Sequence, residues 1–202
     1  MAFRFHPAML LLAALLVPRR GRGPGPRPAP PSPVPHPPKP PRGGGTEVPI
    51  FLSSGTLDPK GWAGSRWRAA VVALDSYPEL AGRNVSDIAT SVLAHWGIET
   101  GWGTDEFNYN LGGIHAFPGV PYFWSTDAGV RTKFQAWPTL DAGVRGYLDL
   151  IRRHFADCWA MLVMQPPLPW ASWYDCLGAH GYYGVRGAYE YARQHAEMLL
   201  GD

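Results

Sequence analysis

The chain has 202 residues and a formal net charge of +2, but that charge is divided unevenly: residues 1–49 hold seven of the 18 Lys and Arg against the single acid Glu47, for +6, and the rest holds 11 basic and 15 acidic residues, for −4. The pI of 8.6 therefore reports a basic tail on a mildly acidic body, and the body lacks the clustered Lys and Arg that a nucleic-acid footprint needs. Roughly 150 residues from Ile50 onward can bury about two-thirds of their unfolded surface, enough for one self-sufficient domain.

The chain opens with a short positive segment carrying Arg4, followed by an apolar run from Ala8 to Val17 and then Pro18-Arg19-Arg20. Residues 1–17 resemble a signal peptide. The run is too short to cross a bilayer, for which about twenty residues are needed. No small-x-small cleavage site follows it, so an uncleaved anchor that attaches the chain to a membrane and a misassigned start codon stand beside export. Residues 18–49 are rich in Pro, Arg and Gly, and residues 1–49 hold 14 of the 22 prolines. Such a stretch cannot offset its ordering entropy by apolar burial and reads as an extended tether, with an SH3 or WW ligand as the other reading.

The body, residues 50–202, reads as helices joined by glycine-rich loops. Ser65 can cap a helix carrying Trp67, Ala70, Val71 and Leu74, stopped at Tyr77-Pro78. Asn84 or Ser86 can cap a second, with Ile88, Val92 and Trp96 on one face, ending at Glu99 before Gly101-Trp102-Gly103. Residues 104–137 have no helical period and predict a loop-and-short-strand lobe. Thr139 can cap a third helix to about Phe155, with Val144, Leu148 and Ile151 inward. Two more are expected near 168–179 and 187–200, separated by Gly181-Tyr182-Tyr183-Gly184. The fold class is α+β, mainly α.

The stretch from Val92 to Gly103 places one carboxylate, Glu99, at the C-terminal end of an apolar helix. Aromatic neighbours and the helix dipole there both favour the neutral carboxyl, the form in which a glutamic acid can protonate a leaving glycosidic oxygen. His95 lies four residues before it, but the zincin pair of histidines is absent. His115, His154, His180 and His195 have no ligand spacing, so neither a metal nor a cofactor is expected. Cys158 and Cys176 form either a bridge, worth roughly 3 kcal/mol in the loop-entropy model, or two buried free thiols. Asn84-Val85-Ser86 has the form of a glycosylation sequon.

The run Ile98-Glu99-Thr100-Gly101-Trp102-Gly103, followed by Asn110-Leu111-Gly112-Gly113-Ile114-His115-Ala116, resembles the E-S-G-W-G … N-L-F-G-I-K-A signature of the bacterial β-N-acetylglucosaminidase family of autolysins, flagellar peptidoglycan hydrolases and phage lysins. Residues 134–147, and Gly181-Tyr182 with Tyr189 beyond, are similar to two later stretches of that family, in the same order. The resemblance implies a lysozyme-like fold, with a saccharide groove between a helical body and a small β-lobe. It implies Glu99 as proton donor, Tyr182 beside the reacting sugar, and peptidoglycan glycan strands as substrate. The chain would work as a monomer, exported to the periplasm or wall or carried by a phage.

The family's second acid lies in the β-lobe, where Asp127 is the nearest candidate and Asp105, Glu106 and Asp141 are less well placed. Without such an acid, the substrate's own N-acetyl group could assist, or the intermediate could be captured internally as in lytic transglycosylases. A non-catalytic wall-binding or phage structural module is a further rival. Trp102, Tyr109, Tyr122, Phe123, Trp124 and Trp137 are candidate sugar-stacking rings, whereas Trp96 is assigned to the core. Asn108 and Asn110 could bind N-acetyl groups or simply hold turns.

Overall fold

The structure, a computed structural model, describes residues 44–55, 57–127, 129–164, 170–182 and 188–201, without the side chains of residues 170 and 188–190. The signal-like segment, most of the tether, residues 165–169, Tyr183 and the Tyr189 side chain lie outside the described residues. The elements run α1 (Pro59–Leu74), a 3₁₀ turn (Pro78–Leu80), α2 (Ser86–Thr100), β1 (Tyr122–Asp127), β2 (Val130–Gln135), α3 (Leu140–His154), α4 (Ala156–Leu162), α5 (Trp170–Ala179) and α6 (Ala188–Leu200). This is an α+β arrangement, mainly helical, with a single small sheet among the described residues. No helix among them is long and apolar enough to cross a membrane.

α2 is the central helix. Ile88 to Gly97 are all buried, as expected of a helix packed on every side. α1 lies along it, and so does α6, which is tied down by Arg193: the guanidinium donates to the Asp87 backbone oxygen at 3.1 Å, to Ser91 Oγ at 2.6 Å and to the Asp87 carboxylate. From α3, Tyr147 packs edge-on against Trp96 and His95.

Where α1 and α3 start follows from their caps. Asp58 accepts the Gly61 N–H at 2.6 Å and Pro59 occupies the first turn, so α1 begins six residues before the expected Ser65. Ser65 instead donates to the Trp62 carbonyl within the helix. α3 starts as expected, with Thr139 Oγ1 accepting the Ala142 N–H, and it ends on Arg152, Arg153 and His154, which suit the negative end of its dipole. The backbone breaks at Phe155, and α4, which carries Cys158, follows at once. Cys158 of α4 and Cys176 of α5 are joined by a disulfide.

The predicted lobe is an antiparallel hairpin in which Tyr122 pairs with Gln135 and Asp127 with Val130. Each of its outer edges is bonded in part by a neighbouring segment, which reduces the free ladder groups. Thr46 and Val48, read from sequence as the end of the tether, bond Tyr122 along β1, and residues 114–116 run beside β2. Phe123 and Phe134 stack at 5.8 Å on one face of the hairpin.

Glu106 locks the loop after α2 onto α1. It is fully buried, and its two oxygens take four donors: Arg66 Nη2 at 2.6 Å and Ser53 Oγ at 2.7 Å on Oε1, Trp62 Nε1 at 2.6 Å and Arg66 Nε at 2.9 Å on Oε2. A buried ion pair holds only when its lone pairs are filled in this way, and removing one partner strands the other. Glu106→Ala is therefore expected to cost about 3–5 kcal/mol in urea denaturation; a loss below about 1 kcal/mol would contradict this assignment.

Candidate active site

Glu99 closes the last full turn of α2. Directly after it the chain reverses through three consecutive left-handed residues, Gly101, Trp102 and Gly103, at φ 55°, 58° and 94°. The N–H groups of Gly101 and Trp102 both reach back to the Gly97 carbonyl, which caps the helix. For Trp102 this backbone costs roughly 1–2 kcal/mol. Burial of its ring offsets that cost: the indole lies over Gly97, where any Cβ would fall 2.6 Å from it, edge-on to Trp62 and 4.5 Å from the His195 ring.

The Glu99 carboxyl projects the other way, since two helical residues are separated by about 200°. Its side chain keeps 23% exposure. One oxygen, Oε1, lies 3.4 Å from Nε2 of the fully buried His95. The other, Oε2, faces Gly113, where a Cβ would approach to 2.9 Å, and Gly113 is itself left-handed at φ 60°. Beside it Gly112 gives its carbonyl to the Tyr182 hydroxyl at 3.0 Å. A Cβ at Gly112 would sit 2.6 Å from both that hydroxyl and the Tyr147 ring. Both glycines are thus required by close approach. Burial pushes the Tyr182 phenol well above its ordinary value, and the charge of Glu99 adds to the shift.

The structure brings Glu99 and Tyr182 together, as the resemblance implies. Asp127 ends β1, exposed, with His115 Nε2 3.2 Å from its carboxylate. The other candidate acids have different partners. Glu106 is saturated in the core, Asp141 pairs with Arg145 on α3, and Asp105 is exposed just beyond the α2 turn, with Thr104 against its carboxylate.

Three of the expected substrate contacts have partners within the protein. Trp102 packs on the side of α2 opposite Glu99. Asn110 is buried and spends its amide on backbone: Oδ1 accepts the Ile114 N–H at 2.8 Å, and Nδ2 donates to the Ile114 and Gln135 carbonyls. Trp137 is seated on α3 over Gly146, whose Cβ would meet the indole at 2.4 Å. Asn108 likewise holds the N-terminal strap, bonding Phe51 and Pro49 backbone, and Phe123 is buried in the lobe.

Tyr109 is half-buried, edge-on to Phe51. Tyr122 and Trp124 share one face of β1, with Lys133 4.1 Å over the first ring and Arg131 4.4 Å over the second. The residue sequence reasoning passed over is His95, considered only as a metal ligand; its spacing of four from Glu99 was the available signal.

No protein-family model matches the chain, and no curated protein matches it. Among solved structures it is similar to a mutant peptidoglycan hydrolase from Sphingomonas sp. A1, at 18% identity and a TM-score of 0.47, over 71% of this chain and 94% of that one. A likeness at that level leaves the chemistry to be argued from the side chains.

Two outcomes follow from the geometry. Because its neutral form is the buried one, Tyr182 stabilises the fold below pH 10.0, its ordinary value, and the contribution is lost as pH rises through the native value. Tyrosine ring-carbon NMR should show Tyr182 still neutral above that pH and ionising earlier in Glu99→Gln; an unchanged titration would remove the Glu99 contribution. Gly113→Ala should lose about 1–2 kcal/mol from its positive φ in chemical denaturation and shift the Glu99 carboxyl resonance, and a silent substitution would contradict the close approach.

Proposed function

We propose that the protein hydrolyses the glycan strand of peptidoglycan as an endo-β-N-acetylglucosaminidase with Glu99 as general acid. The observation that carries the reading is the setting of Glu99: a half-sheltered carboxyl at the end of the central helix, backed by a buried histidine and faced by Gly113, which has no side chain to block approach. Protonation of the glycosidic oxygen by Glu99 would let the carbon–oxygen bond break toward an oxocarbenium ion, and Tyr182 would line the site beside the sugar. Asp127 is the residue of the lobe that would orient water or stabilise the cation. The ordered sequence resemblance supports the substrate class and the lysozyme-like description of the helical body and hairpin. An exported location, with the tether giving reach to the wall, belongs to the same proposal.

One observation favours a second reading. Asp127 is the only acid in the hairpin and is already paired with His115, so a mechanism with Glu99 as the sole carboxylate, closed by internal capture as in lytic transglycosylases, fits the same site. Purified peptidoglycan digested with the full chain should release products with reducing-end N-acetylglucosamine by mass spectrometry, and Glu99→Gln should release them at least about 100-fold more slowly. Anhydro-muramyl ends would favour transglycosylation. Wall binding without release by either protein would contradict an enzymatic role.

A further inference from the structure

Among the described residues, His95 is a buried ionisable group that faces Glu99 directly and has no part in the chemistry described above. Its ring is fully buried and caged edge-on by Tyr147, Trp173, Tyr174 and Tyr182 at centroid distances of 5.1–6.0 Å. Nδ1 is hydrogen-bonded to the Tyr147 hydroxyl. Among the described residues Nε2 has no hydrogen-bond partner, a costly state for a buried polar atom, yet it lies 3.4 Å from Glu99 Oε1. That spacing is in ion-pair range and just outside hydrogen-bond geometry, and such contacts commonly tighten only in the loaded site.

A neutral imidazole carries one N–H, and the partner of one nitrogen decides which nitrogen holds it. With Nδ1–H, the bare Nε2 lone pair would either face an unprotonated oxygen or draw the Glu99 proton onto Oε1, leaving Oε2 with none to give. With the Tyr147 hydroxyl donating to Nδ1, the hydrogen sits on Nε2 and points at Oε1.

Resting on the reading of Glu99 as the acid, we propose that His95 is a positioning residue: held as the Nε2–H tautomer by Tyr147, it donates to Glu99 Oε1 and thereby assigns the transferable proton to Oε2, the oxygen facing Gly113. When Oε2–H passes its proton to the glycosidic oxygen and the sugar carbon–oxygen bond breaks, the electron pair of that bond leaves with the oxygen. The charge left on Glu99 is met by a donor already in place, and no second proton moves. Among the described residues, the other titratable groups packed on the ring are Tyr147 from α3, Tyr174 from α5 and Tyr182 after it. Arg193 and His195 of α6 engage Asp87, Ser91 and Trp102 instead.

Two-bond proton–nitrogen NMR of the full chain tests this without activity. His95 should show a protonated Nε2 and a bare Nδ1 in wild type and in Glu99→Gln, and Tyr147→Phe should lose that preference. A wild-type ring protonated on Nδ1, or on both nitrogens, would overturn the proposal. In kinetics, Tyr147→Phe should lower kcat about 10- to 100-fold with little change in KM, and His95→Gln, which keeps one donor and one acceptor, should retain more kcat than His95→Leu. Equal rates in the Gln and Leu variants would also overturn it. Full activity of Glu99→Gln would instead sink the acid assignment, leaving the tautomer result standing.

Discussion

A fully buried carboxylate with four protein donors has one stable place to be, and the placement of Glu106 dictates where three separate stretches of chain must lie. Arg66 and Trp62 bring α1 to it, Ser53 brings the N-terminal strap, and Glu106 itself carries the loop that leaves α2. The strap then spends its remaining groups on the same loop: Ser53 accepts the Tyr109 N–H at 2.9 Å, and Phe51 exchanges bonds with Asn108. The left-handed backbone of Asn108 and Tyr109, at φ 51° and 53°, is strain that this network holds in place.

Because that loop is pinned behind α2, the chain after Glu99 has to turn back within three residues, and the left-handed turn at Gly101-Trp102-Gly103 does so. Its consequence is a separation of faces. Trp102 fills the side of α2 toward α1 and α6, leaving the opposite side, with His95 and Glu99, to be met by α3, by the Gly112-Gly113 loop and by Tyr182. The site is thus assembled from four parts of the chain around a helix whose own burial leaves it no freedom to shift.

Much of this was legible in the sequence where the signal is local. Thr139 capped α3 as read, Gly101 stopped α2, and the aperiodic stretch after residue 104 became a hairpin. The errors share one cause, which is that a residue type does not announce its partner. Ser65 looked like a cap only because Asp58-Pro59, a better one, precedes the apolar stripe. Asn110, Trp102 and Trp137 were read as sugar contacts because such residues serve both roles, and the sequence did not reveal the partners that Ile114, Gly97 and Gly146 provide. Glu106 was weighed as a catalytic acid, and nothing near it in sequence reveals Arg66, forty residues earlier. His95 was dismissed for lacking a second histidine, although its partner turned out to be Tyr147, fifty-two residues away.

In the proposed function, the glycan is bound and cut where Glu99 meets the Gly112-Gly113 loop. Amide and tyrosine-ring NMR of the Glu99→Gln protein, titrated with an oligosaccharide of β-1,4-linked N-acetylglucosamine, tests that most directly. The account predicts shifts centred on Gly112, Gly113, Ile114 and Tyr182. Shifts confined to Tyr122, Trp124 and Lys133 on the outer hairpin face, or none at all, would contradict it.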